Sequence, residues 1–496
     1  MKESVRDHFS NALYTQDDMP LCTALDRFCK KDIIPFDVPG HKRGKGNPEL
    51  VDLLGEKTIS KDINSLAEMD NLNHANGVIL ASEELMAQAY GAEHAFFTVN
   101  GTTLGIHVMI LSACNPGDKI LLPRNIHKSA MNALILGGLN PVYMEAEVSE
   151  QFGFVTGVTL DTVRKSMDEN PDAKAVFIIN PTYYGVCSQL KEIIAYAHSK
   201  GIAVLCDEAH GSHFTFHDEL PFSGMQLGAD MAATSVHKTG GAMTQASALL
   251  LNSNYISKDR VNELLGMFHT TSPSYILMAS LDAARHNLAT RGKELFDQIL
   301  PLVRSARITI DNIPGLFCLS KNHIGEPGIY DFDETKLTIN VTGLGITGFE
   351  VYDLLFSDYG IQLELADVYN ILAIVSLGDD QSSLNGLVTA LTDLSKRFFG
   401  KKEKIETYPI PLKNPTLITN PRAAYYGEKE FVPIDSCVGR TIAEAIMVYP
   451  PGIPILAPGE CVSQEIIDYL KMLKTMDSKF TDLHDETLET MLVLKK

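Results

Sequence analysis

From residue 95 onward the chain repeats one pattern: a short apolar run, a cluster of polar residues, then a helical segment. The runs fall at 95–99, 119–122, 142–145, 175–179, 202–206 and 247–251. Apolar runs of this length that alternate with helices belong to a largely parallel sheet whose two faces are covered by helices. The expected fold class is α/β. In such sheets ligands sit beyond the carboxyl ends of the strands. Here those ends carry Asn100-Gly101-Thr102-Thr103, Pro123-Arg124-Asn125-Ile126-His127-Lys128-Ser129, Asn180-Pro181-Thr182-Tyr183-Tyr184-Gly185 and Asp207. Four strand ends are expected to point to one crevice.

The remaining chain divides around that sheet. Residues 1–90 read as an arm and entry segment, in which Pro35 and Pro39 break helical regularity and a helix is expected over 81–90. Residues 91–307 form the expected large domain, and 308–399 a smaller α+β unit with strands at 336–341 and 371–376. Residues 400–496 hold a polar linker to about residue 421 and a C-terminal domain. That domain contains Tyr449-Pro450-Pro451-Gly452-Ile453-Pro454, a proline-rich loop that cannot be a central strand.

The densest chemistry lies between Cys206 and Leu250, where Cys206-Asp207-Glu208-Ala209-His210 precedes Thr234-Ser235-Val236-His237-Lys238-Thr239-Gly240-Gly241. A lysine amine and a carboxylate in this relation suit pyridoxal 5′-phosphate (PLP). The lysine takes the aldehyde, and the acid keeps the ring nitrogen protonated so that the ring can withdraw electrons. Asp207, closing an apolar strand, would stay ionised beside a pyridinium because attraction opposes desolvation. The Gly101-Thr102-Thr103 turn is expected to open a helix over 106–111, and a helix start with hydroxyls nearby suits a phosphate, with Ser235 as a second donor. Glycine and threonine at a helix start also serve as an ordinary cap. His127 leads a strand-end loop from which an imidazole would stack on the ring. A metal reading uses Asp207, His210, His213 and His217, but Gly211 and Thr215 argue for a loop where a metal pair at that spacing needs a helix.

Composition narrows the partners. The 62 acidic against 42 basic residues give a formal charge of -20, which repels nucleic acid and anionic membranes and draws in cationic small molecules. No apolar run approaches a membrane span, the first residues lack a secretory core, and the eight cysteines are scattered without a Cys-x-x-Cys pair. A cytoplasmic protein is expected.

Taken in order, Val38-Pro39-Gly40-His41-Lys42, Asn100-Gly101-Thr102-Thr103, Arg124-Asn125-Ile126-His127-Lys128-Ser129, Asp207-Glu208-Ala209-His210, Ser235-Val236-His237-Lys238, Thr271-Ser272-Pro273-Ser274-Tyr275 and the proline-rich loop carry a resemblance over nearly the whole chain. The chain resembles the Orn/Lys/Arg decarboxylase family of fold-type I PLP enzymes, in the form of its short bacterial members. That resemblance implies an aspartate aminotransferase-like large domain and PLP-dependent decarboxylation of a basic L-amino acid. Arginine, giving agmatine and CO2 for polyamine biosynthesis, is the implied substrate, with lysine or ornithine as the alternative.

It also implies residue roles. Lys238 holds the aldehyde, Asp207 the ring nitrogen, and His127 stacks on the ring. Gly101, Thr102, Thr103, Leu104 and Ser235 surround the phosphate, with a backbone N–H alone at Leu104. His237 lies beside them as a proton donor, His210 lines the site, and Glu364 lies near the distal cation of the substrate. The Thr270 segment reaches the phosphate of a neighbouring subunit, so a homodimer or higher homo-oligomer is implied. An aminotransferase generally needs a small-domain arginine for the substrate carboxylate, and no arginine lies between Arg307 and Arg397. A non-catalytic regulator predicts damage at Lys238 or Asp207, and both are present.

Overall fold

The computed structural model describes residues 14–66, 68–406, 413–449, 453–476, 479–481 and 483–495. Seven strands carry the core: β1 His94–Thr98, β2 Lys119–Pro123, β3 Asn140–Met144, β4 Ala175–Ile179, β5 Ala203–Asp207, β6 Met231–Thr234 and β7 Ser247–Leu251. The chain forms two compact units, one from the residues up to Ser112 with Glu208–Leu295, the other from Ala113–Asp207 with the residues from Phe296 onward.

In the first unit β1 pairs antiparallel with β7, and β7 antiparallel with β6. The run at 247–251 is thus a strand as expected, but an antiparallel one. Helix α1, Val78–Tyr90, precedes β1. Asp70 fixes its start by accepting the N–H groups of Gly77 and Ile79 at 2.8 and 3.0 Å, which meets donors that a helix leaves open at its first turn. Helix α2, Gly101–Ala113, begins five residues earlier than the sequence suggests. Thr102, Thr103 and Leu104 therefore lie in its first turn and not in a loop before it.

In the second unit β5, β4, β2 and β3 are successive parallel neighbours. Their ends coincide, since Ile179 closes β4 directly beside Asp207 at the end of β5. Between β2 and β3 runs α3, Lys128–Gly137. Every residue of β5 is buried, consistent with a parallel strand covered on both faces. Three of the five pairings in these two strand groups are parallel.

A 37-residue helix, α5 in chain order after α4 (Lys258–Phe268), covers Tyr275–Asp311. Beyond it β8, Lys336–Asn340, and β9, Asn370–Ile374, pair antiparallel in a four-stranded sheet backed by α6, Gln381–Phe398. Apolar side chains such as Ile339, Ile371, Leu391 and Leu394 form its core. In the C-terminal segment β10, Lys429–Pro433, pairs with β11, Thr490–Leu494, over a separate apolar cluster that includes Ile442, Ile467 and Val493. The proline-rich loop has Pro450, Pro451 and Gly452 outside the described residues. Among the described residues no helix is long and apolar enough to cross a membrane.

Candidate active site

The lysine sits in a turn that its neighbours over-determine. β6 ends at Thr234, and a single helical turn, Val236–Thr239, carries His237 and Lys238. Gly240 closes that turn: a Cβ there would lie 2.9 Å from both the Cγ1 and the carbonyl oxygen of Val236. The Lys238 Nζ is 2.8 Å from His210 Nε2. Beside it the ring of His237 donates from Nδ1 to the carbonyl of Ala246 at 3.0 Å. A carbonyl only accepts, so this contact fixes the proton on Nδ1.

Hydroxyls gather at the start of α2. Thr102 and Ser235 share a hydrogen bond at 2.5 Å, and Thr102 also bonds Ser247 at 3.1 Å. Thr102, Ser235 and Leu104 are buried, whereas Thr103 is exposed. Gly101, at φ +70°, has open space where a Cβ would stand. The group combines a helix N-terminus, three hydroxyls and a glycine that leaves room, which is the donor set a phosphate needs. Ser247 was not anticipated from the sequence, because nothing in its own neighbourhood marks the first residue of an apolar strand.

His213 and Ser212 turn to Thr239, at 3.1 and 2.7 Å. His217 accepts the N–H of Glu219. Among the described residues no group of three His, Cys, Asp or Glu side chains gathers as a metal site.

In the second unit Asp207 is the buried last residue of β5, and its carbonyl accepts the Asn180 N–H at 2.9 Å. His127 caps α3: its Nδ1 accepts the Ser129 N–H at 3.2 Å and lies 2.8 Å from the Ser129 hydroxyl. An Nδ1 that accepts leaves the proton of the neutral ring on Nε2.

The loop bearing His127 is tied to the C-terminal segment by Arg124. That guanidinium forms a two-pronged pair with the fully buried Glu460, donates to the carbonyls of Pro454 and Ile455 at 3.2 and 2.6 Å, and lies 4.9 Å from the Tyr143 ring. The loop after β4 is held in a similar way. Tyr184 stacks on Phe154 at 3.9 Å and donates to Asp367 at 2.7 Å. Burial raises the Asp367 carboxyl, against the hydrogen bonds from Tyr184 and Asn370 that lower it.

Glu364 stands apart from these ties. Its N–H bonds the carbonyl of Leu372, and its exposed side chain borders an open groove of about 740 Å³ together with Asp379 and Asp380. Thr270, in the first unit, is exposed, and its hydroxyl accepts the Ser272 N–H at 3.2 Å. The structure thus brings together Lys238 with His210, and Thr102 with Ser235 and Ser247. It leaves Glu364 and Thr270 at the surface.

Strands with polar carboxyl ends and a lysine one turn past a strand define the class, which is the fold of fold-type I PLP enzymes. The Francisella novicida lysine decarboxylase superposes with a TM-score of 0.83 at 20% identity, over 96% of this chain and 81% of that one. An alanine–glyoxylate aminotransferase from Nostoc sp. gives 0.52 at 17% identity, over 64% and 86%. At such identities the common property is the fold.

The sequence goes further. Residues 19–383 match the Orn/Lys/Arg decarboxylase major domain and 406–488 the C-terminal domain of the same family. This chain belongs to the Orn/Lys/Arg decarboxylase family. It is 43% identical to the arginine decarboxylase of Bacillus anthracis and 44% identical to that of Halalkalibacterium halodurans, in each case over 97% of this chain and 98% of the relative.

Proposed function

We propose that this protein decarboxylates L-arginine to agmatine and CO2 with PLP as cofactor. The carrying observation is the 2.8 Å contact between Lys238 and His210 in the same unit as the buried Thr102, Ser235 and Ser247 hydroxyls. Those residues fit the cofactor on their own chemistry: an amine for the aldehyde and a hydroxyl-lined helix start for the phosphate. Asp207 is the acid for the ring nitrogen, and His127 the imidazole for the ring face. When bound, PLP supplies an electron-withdrawing ring that lowers the barrier to breaking the bond from Cα to the carboxylate.

The remaining chemistry is proton handling by the protein. His210 accepts a hydrogen bond from the Lys238 amine and so directs it. CO2 leaves with the carboxylate carbon, and a proton must then reach Cα, so that one C–C bond is lost and one C–H bond gained. Lys238 or His237 is our candidate for the donor of that proton. Glu364 is assigned to the distal guanidinium, for which a carboxylate is a planar bidentate partner. Arginine is preferred over lysine because the relatives at 43–44% identity are arginine decarboxylases.

The exposed Thr270 is assigned to the phosphate of a second subunit, which makes the active protein a homodimer or a multiple of one. Among the described residues no disulfide joins any of the eight cysteines, in keeping with a reducing cytoplasm. The deciding assay gives purified protein PLP and either arginine, lysine or ornithine, with no keto acid. Agmatine and CO2 from arginine are expected. Turnover that requires a keto-acid acceptor would instead make the protein an aminotransferase.

A further inference from the structure

The turn that carries Lys238 cannot hold itself. Val236–Thr239 is a single helical turn, and a helix that short makes too few internal bonds to offset the ordering of its backbone. Its position must come from its neighbours. One of them is α5, since a Cβ at Gly240 would lie 3.2 Å from the side chain of Leu288, a buried residue of that helix. A second is the stretch 208–214.

That stretch is itself well anchored. The Glu208 N–H bonds the Ala233 carbonyl in β6 at 3.0 Å, and the Glu208 carboxylate accepts the Gly224 N–H at 2.6 Å. Two tight turns follow, closed by the Gly211 N–H on the Glu208 carbonyl and the Phe214 N–H on the Gly211 carbonyl. From α1 the Tyr90 hydroxyl donates to the Ser212 carbonyl at 2.9 Å.

Two consecutive residues of the lysine turn meet this stretch. His210 takes Lys238 at 2.8 Å, while Ser212 Oγ and His213 Nδ1 lie 2.7 and 3.1 Å from Thr239 Oγ1. A hydroxyl has one proton to give and two lone pairs, so Oγ1 serves both partners at once. Thr239, Ser212 and His213 are at most 2% exposed, so neither solvent nor a second copy of the chain reaches them. The two contacts act differently. His210 meets the far end of a long, flexible side chain, which by itself leaves the backbone beneath free to rotate. The Thr239 hydroxyl is one bond from Cβ, and neighbouring residues of a helical turn point about 100° apart, so holding it fixes the rotation from which the Lys238 side chain starts.

We propose that the Thr239 hydroxyl is a positioning group for Lys238: gripped by Ser212 and His213, it sets the turn so that the amine lies against His210. The inference rests on Lys238 being the lysine of the proposed reaction.

The test compares Thr239→Val, which keeps the shape and removes the hydroxyl, with Thr239→Ser, which keeps the hydroxyl. Ser257→Ala, which removes the cap of α4, lowers the melting temperature away from the turn and serves as control. On the unloaded full chain, acylation of Lys238 by acetic anhydride is followed by peptide mass spectrometry against the exposed Lys30. Thr239→Val is expected to speed that acylation roughly threefold or more as the turn opens locally. Thr239→Ser restores the wild-type rate, and Ser257→Ala leaves it unchanged. On the PLP-loaded protein, Thr239→Val lowers the visible circular dichroism per bound cofactor, and kcat for arginine falls roughly tenfold with little change in KM, the size of one hydrogen bond. Ser212→Ala, which leaves the His213 contact, moves each readout the same way by less, and decides the matter if Thr239→Val does not fold. A Thr239→Val protein that melts lower while Lys238 is acylated at the wild-type rate overturns the proposal, because the hydroxyl then serves stability alone. The acylation needs neither PLP nor arginine, so failure of the decarboxylase reading, seen as absence of agmatine, is a separate result.

Discussion

The lysine turn of the first unit and the Glu364 edge of the second are built in opposite ways. Around Lys238 the bonds run from side chain to side chain: the half-buried Lys238 to the buried His210, and Thr102 to Ser235 and Ser247, all three buried. Glu364 has its N–H in the sheet while its exposed carboxylate borders an open acidic groove. A cofactor has one shape, so the residues that grip it can be fixed in advance, and pre-organised donors cost little to use. Arginine, lysine and ornithine each present one distal cation, which an exposed carboxylate such as Glu364 would meet at the edge of an open groove. If Glu364 reads the distal cation as proposed, the class of chemistry rests on enclosed contacts and the particular substrate on an exposed edge.

The strongest way to break that comparison is to remove the lysine. Lys238→Ala is expected to lower the rate of CO2 release by roughly 10³-fold or more, because it deletes both the aldehyde partner and a proton carrier. The readout is ¹⁴CO2 release from carboxyl-labelled arginine, and near-normal turnover would remove Lys238 from the reaction.

The second unit has its own buried tie, and cutting it asks whether rigidity there matters as much. Glu460→Ala strands the Arg124 guanidinium among the Pro454 and Ile455 carbonyls. Removing one partner of a buried pair costs about 3–5 kcal/mol. A urea melt should show that loss, whereas Asp358→Ala, which cuts the exposed Arg397 pair, should leave the midpoint nearly unchanged. Equal losses would mean that Arg124 is already well solvated.

Intermediate in size is the hydroxyl cluster. Thr102→Val removes the hydroxyl that joins Ser235 and Ser247, and one hydrogen bond to a charged group is worth about 1.5–3 kcal/mol. The dissociation constant for PLP, read from the visible absorption of the protein during dialysis, should rise by roughly tenfold to a hundredfold. Thr103→Val, at an exposed position, should change it much less. The reverse result would make Thr103 the phosphate donor.

That contrast between neighbouring threonines also shows how far sequence reading reaches. The strands at 175–179 and 247–251 can be read residue by residue from their unbroken apolar character. Met231–Thr234 cannot, because it is four residues long with two central alanines, which have little strand preference of their own and are buried by tertiary packing. The start of α2 lies five residues before the apolar run that marks the helix in the sequence, since glycine and threonine are weak helix formers. Which hydroxyl turns towards Ser235 depends on that start, so Thr102 and Thr103 are equivalent on paper and different in space. Asp207 and His127 stand out because each follows an apolar run at a strand end, and Lys238 because it stands between Ser235-Val236-His237 and Thr239-Gly240-Gly241.

The smallest expected effect bears directly on the Glu364 edge. If its carboxylate acts as charge at the distal end of the substrate, Glu364→Gln weakens ground state and transition state alike, which raises KM and leaves kcat nearly unchanged. An exposed charge pair is worth about 1 kcal/mol or less, so a KM increase of roughly fivefold is the expected size. The increase should shrink as salt is added, because screening already weakens the wild-type contact. PLP affinity should not change, since none of the hydroxyls around Lys238 is altered. A large fall in kcat would show that Glu364 is held as firmly as the lysine turn, and the contrast between the two regions would fail. No change in KM would place the acid that reads the distal cation elsewhere, and Asp379 and Asp380, which border the same groove, would be the next residues to replace.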